Sequence, residues 1–147
     1  MKVVVQKSLL SSVEIEGKVF SSIDRGYVLL ISFTNNDDSG IIDYIINKIL
    51  YLRLFLDENK KMNLNIFDIK GSILSISQFT LYGDISNGAR PSFKESLNYK
   101  DAEMLYNEFN EKLSRRINLV TGIFGADMKV NICNDGPVTI IIEKNKE

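Results

Sequence analysis

The amino-acid sequence predicts a single α/β domain, α+β in character, in which a twisted system of strands is covered by helices on one side. Strand patterns stand at both ends of the chain, and two units that combine a strand with a helix lie between them. The length of 147 residues is typical of one domain, and neither repeats nor a linker-like stretch divides the chain. We therefore treat residues 1–147 as one domain.

The N-terminal part of the chain predicts three strands. Residues 3–6 have the pattern of a first strand, and Val13 and Ile15 alternate with glutamates before Gly17, as in a half-buried hairpin arm. Residues 27–33 are continuously apolar and rich in β-formers, which is typical of a strand covered on both faces. We expect this strand to lie at the centre of the sheet.

Two helices are predicted from apolar residues at helical spacing. The first follows candidate N-cap residues at 35–39 and runs to about Leu54. The second spans residues 101–117, where i,i+4 pairs of glutamate with lysine or arginine support the outer surface. The apolar residues are Ile42, Ile45, Ile46 and Ile49 in the first helix and Ala102, Leu105, Tyr106, Phe109 and Leu113 in the second.

The remaining segments predict a turn, a buried strand and a closing hairpin. Residues 57–61 form a polar turn and residues 73–76 a buried strand, and the chain from there to Pro91 is expected to be a loop. Alternating apolar residues at 128–132 and a strand at 138–142 then flank an Asn-Asp-Gly-Pro turn. The sequence therefore predicts that the chain ends in a hairpin.

The composition excludes several kinds of catalytic and metal site. Histidine is absent, which removes Ser-His-Asp and Cys-His catalysis and histidine-ligated zinc. Cys133 is the only cysteine, so neither a disulfide within the chain nor a cysteine cluster can form, and we expect it to be a small buried residue. Asp37 and Asp38, like Asp57 and Glu58, are adjacent acids in turns, and without further ligands they are typical of helix caps or solvated charges. We therefore predict no metal and no cofactor.

Charge and hydropathy indicate where the protein works. The net charge of −1 argues against a broad grip on nucleic acid, so no DNA partner is expected, although a local basic face stays open. The longest aliphatic stretch is interrupted by charged residues and cannot cross a bilayer, and no signal-peptide pattern precedes the first strand. We expect a cytoplasmic protein with no membrane partner.

Two polar segments are candidates for a functional site. Ser77, Gln78 and Thr80 place hydrogen-bonding side chains at the C-terminal end of a buried strand, where ligand sites often form. Taken alone, the segment is more often a strand end whose side chains only satisfy nearby backbone groups. The segment 134–137 has ordinary turn chemistry, although a cis Gly136–Pro137 bond would aim two neighbouring carbonyls in one direction.

Taken together, the two segments give the chain a family resemblance. Ser-Gln-Phe-Thr-Leu at 77–81 and Asn-x-Gly-Pro-Val-Thr at 134–139 are both complete, and they resemble the signature motifs of the D-aminoacyl-tRNA deacylases. Further stretches similar to this family extend over essentially the whole chain. They are Leu-Arg-Leu-Phe at 52–55, Lys-Met-Asn-Leu at 61–64, Arg-Pro-Ser-Phe at 90–93 and the segment 121–128.

The resemblance implies a fold, a reaction and partners. The fold would have three layers, β/β/α, with mixed and mostly antiparallel strands and two main helices, and the protein would be a homodimer. It would hydrolyse the ester of D-aminoacyl-tRNA, and of glycine mischarged on tRNA(Ala), with water as the nucleophile. The 2′-hydroxyl of the tRNA would assist, and backbone amides around Gln78 and Phe79 would hold the oxyanion.

The resemblance also implies roles for individual residues. Gly136 and Pro137 of one protomer, joined by a cis bond, would enter the partner's pocket and exclude the side chain of an L-amino acid. Plain helix packing is an equally good explanation for Ala102. The residues assigned to the catalytic segment are Ser77, Gln78, Phe79 and Thr80, and those assigned to the substrate pocket are Ala102, Phe124 and Met128.

One position departs from the family pattern. Lys7 stands where the family usually has an arginine, which braces the Gly-Pro segment through a forked donor that lysine lacks. Asn134 is expected to support the same segment.

Phe79 argues against a related group of deacylases that use a trans Gly-Pro bond and act on L-alanine. Two other functions stay open: a non-catalytic tRNA-binding module on the same fold, and an esterase that uses Thr80 as nucleophile.

Overall fold

The computed structural model describes residues 1–147 and contains ten strands, two α-helices and one short 3-10 helix. The strands are β1 (Lys2–Ser8), β2 (Ser11–Ile15), β3 (Lys18–Ile23), β4 (Gly26–Ser32), β5 (Phe55–Leu56), β6 (Met62–Leu64), β7 (Ser72–Ser77), β8 (Leu119–Thr121), β9 (Lys129–Asn131) and β10 (Asn134–Glu143). The helices are α1 (Ser39–Tyr51) and α2 (Tyr99–Ser114), and the 3-10 helix spans Phe79–Tyr82. Neither α-helix has the length and apolar character that a membrane span requires.

The strands form a five-stranded sheet, a three-stranded sheet and a small hairpin. The large sheet has the order β10-β1-β4-β7-β8, in which β10, β1 and β4 are antiparallel whereas β4, β7 and β8 are parallel. The second sheet has the order β3-β2-β9 and is antiparallel, and β5 pairs with β6. The predicted α/β class, with mixed and mostly antiparallel strands and two main helices, is confirmed.

Strand β4 lies at the centre of the large sheet, as predicted, and contributes to two cores. Leu29 and Ile31 belong to the core between the large sheet and the helices, whereas Val28 belongs to a smaller core between the two sheets. This follows from strand geometry, because successive side chains point to opposite faces. The molecule therefore has three layers: the three-stranded sheet, the large sheet and the helices.

Helix α1 begins at a cap within the segment that the sequence indicated. The side chain of Asp38 accepts a hydrogen bond from the amide of Ile41 at 3.0 Å, which satisfies one of the amides left open at a helix start. The helix ends at Tyr51 and not at about Leu54, because the backbone of Leu52 is extended. The four predicted isoleucines are all buried.

Helix α2 begins and ends earlier than the predicted range of 101–117. Asn98 caps it by accepting a hydrogen bond from the amide of Asp101 at 3.0 Å, and the last helical residue is Ser114. The buried face contains four of the predicted residues, Ala102, Tyr106, Phe109 and Leu113. The predicted ion pairs on the outer surface are present, between Glu108 and Lys112 at 3.1 Å and between Glu111 and Arg115 at 2.5 Å.

The predicted hairpin at the end of the chain is wrong. Strand β9 pairs with β2, where Val130 lies opposite Val13, whereas β10 pairs with β1 in the other sheet. The segment 134–137 is therefore the start of β10 and does not connect two strands of one sheet. The error has a physical reason: alternation reveals which face of a strand is buried, but not which strand lies beside it.

Two smaller expectations are also wrong. Cys133 is exposed and not buried, because it lies where the chain crosses from one sheet to the other. The stretch between β7 and Pro91 is not all loop, since it contains the 3-10 helix Phe79–Tyr82, in which the amide of Leu81 donates to the carbonyl of Gln78 at 3.3 Å. Strands β5, β6 and β8, which have two or three residues each, were not predicted.

Candidate active site

A cavity of about 660 Å³ opens at the edge of the large sheet where the parallel strands β4 and β7 end. Its size falls within the range of ligand pockets, about 300–1,000 Å³. The 3-10 helix, residues 93–98, the start of α2 and residues 124–128 complete the walls, and most of the lining residues are apolar. Only Asp127 and Tyr99 line the cavity with ionisable side chains. Any chemistry here must therefore rely mainly on uncharged groups.

Residues 77–79 form one wall of the cavity, and hydrogen bonds hold their main chain. The amide of Gln78 donates to the carbonyl of Ile31 at 2.7 Å, which extends the pairing of β4 with β7 by one residue. The amide of Phe79 is the first of the 3-10 helix and has no partner within that helix. The resemblance implies that backbone amides around Gln78 and Phe79 hold an oxyanion; of these two amides, only that of Phe79 has no hydrogen-bond partner.

The rest of Phe79 is also fixed by its neighbours. Its carbonyl accepts hydrogen bonds from the hydroxyls of Ser96 at 3.0 Å and Ser32 at 3.3 Å. Its ring stands edge-on to that of Phe93, with the ring centroids 5.1 Å apart. Ser32 and Ser96 were not predicted as site residues, because their contacts with Phe79 join segments that are separate in sequence and no local pattern reveals them. Phe93 belongs to the family-like stretch 90–93 but was not assigned to the site.

Thr80 lies next to the cavity but does not line it. Its hydroxyl accepts a hydrogen bond from the side-chain amide of Gln78. An amide donor cannot remove the hydroxyl proton, so this contact does not activate Thr80 as a nucleophile.

An aromatic cluster forms the opposite wall. The ring of Phe124 lies 5.0 Å from that of Tyr99 and 5.7 Å from that of Tyr106. The hydroxyl of Tyr106 donates to the carbonyl of Ser75 at 2.7 Å, and burial raises the pKa of Tyr106, so this tyrosine stays a neutral donor. Ala102 lines the cavity from α2 and is 8% exposed. The wall is apolar and suits a side chain of similar character.

Two side chains of this wall pack directly on glycines. A Cβ atom at Gly122 would lie 2.6 Å from the sulfur of Met128, and one at Gly125 would lie 2.5 Å from the hydroxyl oxygen of Tyr99. Gly125 also has a φ of +76°, which side chains rarely tolerate. These glycines therefore let Met128 and Tyr99 approach the main chain closely enough to shape the cavity.

The Gly136–Pro137 segment lies outside this cavity. Its peptide bond is cis, and both residues are exposed. The side chain of Asn134 holds the segment from within: its nitrogen donates to the carbonyls of Lys7 and Val138, both at 3.0 Å, and its oxygen accepts from the hydroxyl of Thr139 at 3.2 Å. Asn134 thus ties the start of β10 to β1.

Lys7 supports the same segment through a carboxylate. The residue is only 6% exposed, and its ammonium nitrogen lies 3.7 Å from a carboxylate oxygen of Asp135. A buried charge is stable only when it is paired, so Asp135 is held close to the lysine. Lys7 therefore reaches the residue beside Gly136 through one ion pair, in place of the forked donor of an arginine.

Comparison with known proteins identifies the family. Residues 4–143 match the family model described as D-Tyr-tRNA(Tyr) deacylase. The chain belongs to this family. The resemblance drawn from residues 77–81 and 134–139 is confirmed, and so is the expectation that the chain is an enzyme.

Curated relatives of this deacylase family cover the whole chain. Two proteins named D-aminoacyl-tRNA deacylase, from Clostridium botulinum strains 657 / Type Ba4 and Eklund 17B / Type B, are 49% and 50% identical to the chain over 147 residues. In both cases the match covers 99% of each protein.

Two solved structures have the same fold. The c-Myc DNA Unwinding Element Binding Protein superimposes with a TM-score of 0.94 and 37% identity, over 99% of this chain and 100% of that one. A protein described as a probable eukaryotic D-amino acid tRNA deacylase superimposes with a TM-score of 0.81 over 96% of this chain and 97% of its own. Its identity is 16%, so this second likeness concerns the fold alone.

The residues that the deacylase resemblance assigned to the site fall into two separate groups in this protomer. One group lines the cavity and consists of Ser77, Gln78, Phe79, Ala102, Phe124 and Met128. The other lies at the start of β10 and on β1, away from the cavity, and consists of Gly136, Pro137, Asn134 and Lys7. Thr80 is close to the first group without lining the cavity.

Replacement of Asn134 by alanine is expected to lower the free energy of unfolding by about 1–3 kcal/mol, because two backbone carbonyls lose their donor. Asn131→Ala is the control, since the exposed Asn131 bonds only to the side chains of Ser12 and Glu14, and it should change the free energy by less than about 0.5 kcal/mol. Urea unfolding at equal protein concentration measures both. Equal losses would show that Asn134 does not hold the segment.

Proposed function

We propose that this chain hydrolyses D-aminoacyl-tRNA to free D-amino acid and tRNA. The observation that carries the proposal is the cavity beside Phe79, which combines a free backbone amide with apolar walls. The names of the Clostridium botulinum relatives support it. In the reaction, water adds to the ester carbonyl, the bond between the carbonyl carbon and the ribose oxygen breaks, and a proton passes to that oxygen.

Catalysis in this proposal depends on the backbone. The amide of Phe79 donates to the ester carbonyl oxygen and stabilises the negative charge that develops on it, and one such donor is worth about 10²–10³ in rate. The 2′-hydroxyl of the terminal ribose assists the attacking water, as the family resemblance implies. A site of this kind needs no histidine, and the chain has none.

The apolar wall receives the side chain of the amino acid. Phe124, Ala102 and Met128 line this part of the cavity, and none of them offers a polar group that would select one side chain over another. The proposal therefore includes D-amino acids of several kinds. It also includes glycine mischarged on tRNA(Ala), because glycine has no side chain that could be excluded.

We also propose that the protein is a homodimer in which the Gly136–Pro137 segment of one protomer enters the cavity of its partner and excludes L-amino acids. Two observations support this: the segment is exposed, and it does not line the cavity of its own protomer. It also begins β10, an edge strand of the large sheet. A rigid segment that fills the space of an L side chain selects by exclusion. The proposed place of action is the cytoplasm.

A non-catalytic tRNA-binding module is the second candidate function. The observation that favours it is the shortage of ionisable side chains in the cavity, where Asp127 and Tyr99 are the only two. Such a module would retain aminoacyl-tRNA without cleaving the ester. An esterase that uses Thr80 has less support, because Thr80 does not line the cavity.

Incubation with D-tyrosyl-tRNA and L-tyrosyl-tRNA is expected to release D-tyrosine about 100-fold faster or more, which corresponds to a barrier difference of about 3 kcal/mol. Loss of radiolabelled amino acid from acid-precipitable tRNA measures both rates. Binding without ester loss would support the tRNA-binding module, and equal rates would contradict chiral selection.

Lys7→Met is expected to raise the rate of L-tyrosyl-tRNA hydrolysis about 10-fold or more, because Asp135 loses its buried partner and the Gly-Pro segment loosens. Lys146→Met is the control, since its ion pair with Asp38 at 2.9 Å is exposed and neither residue lines the cavity. Equal L-tyrosine release by the two variants would contradict a role for Lys7 in chiral selection.

Hybrid dimers extend this test to the contact between protomers. A Lys7→Met chain is paired, through two affinity tags, with an Ala102→Phe chain whose own cavity is blocked. In the proposed dimer, the one open cavity receives the intact Gly-Pro segment of the blocked chain, so L-tyrosyl-tRNA should survive. Rapid hydrolysis of L-tyrosyl-tRNA by the hybrid would mean that the segment acts within its own protomer.

Thr80→Val is expected to change the rate of D-tyrosyl-tRNA hydrolysis less than about 3-fold, because valine keeps the shape of threonine and the hydroxyl is not a reacting group. A true nucleophile would lose about 10⁴-fold or more on the same change. Single-turnover hydrolysis of D-tyrosyl-tRNA, beside cleavage of a simple nitrophenyl ester, distinguishes the two cases.

A further inference from the structure

The carbonyl of Phe79 is the point where two serine hydroxyls meet. The hydroxyl oxygen of Ser96 lies 3.0 Å from the carbonyl oxygen and that of Ser32 lies 3.3 Å from it. Ser32 belongs to β4 and Ser96 to the stretch before α2, and both line the cavity. Neither belongs to the two motifs that carry the family resemblance.

Both serines are themselves held in place. Ser32 is 1% exposed and ends a central strand. The amide of Ser96 donates to the carbonyl of Phe93, and the amide of the next residue, Leu97, donates to the carbonyl of Phe33, both at 3.0 Å. The stretch that carries Ser96 is thus bonded to the residue after Ser32, so the two hydroxyls keep a fixed distance from each other.

These contacts determine where the amide of Phe79 points. The carbonyl of Gln78 accepts the amide of Leu81 at 3.3 Å, and the peptide between Gln78 and Phe79 is trans. In a trans peptide the C=O and N–H point in opposite directions, so the N–H of Phe79 is directed away from the 3-10 helix. Because the next carbonyl, that of Phe79, is bonded to both serines, this amide is fixed from both sides.

We propose that Ser32 and Ser96 are positioning residues for ester hydrolysis, and that they act by holding the Phe79 carbonyl so that the Phe79 amide is oriented for the substrate. This inference rests on the proposed function. A donor that is already oriented needs no reorganisation when charge develops on the ester oxygen. A displaced donor is costly, since an error of about 1 Å in a reacting group lowers rates by about 10²-fold.

Folding alone does not require both hydroxyls. A backbone carbonyl next to an open cavity is satisfied by one donor or by water, whereas this carbonyl has two side-chain donors. The cavity is mostly apolar, so alanine fits the surroundings of Ser96 as well as serine does. The second hydroxyl therefore contributes to orientation more than to stability.

The test compares Ser32→Ala, Ser96→Ala and the double variant with the wild type in single-turnover hydrolysis of D-tyrosyl-tRNA. Each single change should lower the maximal rate about 3- to 10-fold, the range of one hydrogen bond, and the double variant should lose more than either. The enzyme concentration at half-maximal rate should shift less than about 2-fold, because both hydroxyls bond the Phe79 carbonyl and do not bind substrate in this proposal. Ser96→Thr keeps a hydroxyl and should keep the wild-type rate.

Ser21→Ala is the matched control. The hydroxyl of Ser21 also donates to a distant backbone carbonyl, that of Thr121 at 2.7 Å, but neither residue lines the cavity. This variant should keep the full rate. An unchanged rate in the double variant, or an equal loss in Ser21→Ala, would overturn the inference.

Failure of the inference and failure of the proposed function give different results. A wild-type protein that leaves D-tyrosyl-tRNA intact overturns the proposed function, whereas an active wild type with fully active serine variants overturns only the inference. Thermal unfolding and circular dichroism establish that each variant is folded. If Ser32→Ala does not fold, the contrast between Ser96→Ala and Ser96→Thr decides, because Ser96 is only half-buried.

Discussion

The parallel pairing of β4 with β7 is the constraint on which the rest of the structure depends. It places Ile31 opposite Ser77, so both strands end at the same edge of the large sheet. The bond from the Gln78 amide to the Ile31 carbonyl holds the chain to that edge before it turns into the 3-10 helix. The cavity forms where this turn faces α2. Ser-Gln-Phe is part of a site only because the pairing brings it there.

The ion pairs of this protein lie outside the cavity, whereas the cavity is lined mainly by uncharged groups. Two of these ion pairs join different structural elements: Lys112 of α2 bonds Asp43 of α1 at 2.8 Å, and Lys7 of β1 lies 3.7 Å from Asp135 of β10. The cavity contains mainly amides, hydroxyls and apolar walls. When a bound substrate displaces water from such surroundings, an oriented amide interacts more strongly with a developing charge than it would in water. A histidine-free chain can therefore still hold a catalytic site.

The sequence was informative where burial repeats locally and failed where distant segments meet. The isoleucines of α1 recur at helical spacing, and β4 is a continuous run of apolar residues. Each pattern indicates burial within a single element, so both elements were predicted. The partner of β9 depends on β2, more than a hundred residues earlier in the chain, and alternation contains no information about it. The candidate site divides in the same way. The motif indicated Ser77 to Phe79, which line the cavity, whereas the two serines on the Phe79 carbonyl depend on contacts between β4, the 3-10 helix and the stretch before α2.

The free amide of Phe79 also affects how this protein can change over time. Every residue except proline has a backbone N–H, so almost any substitution at position 79 leaves the donor present and can only move it. Mutational drift would therefore erode the activity in steps, through altered packing, more often than abolish it at once. The same constraint applies to resistance against an inhibitor that binds this donor. Almost every substitution at position 79 keeps the N–H group that the inhibitor would bind.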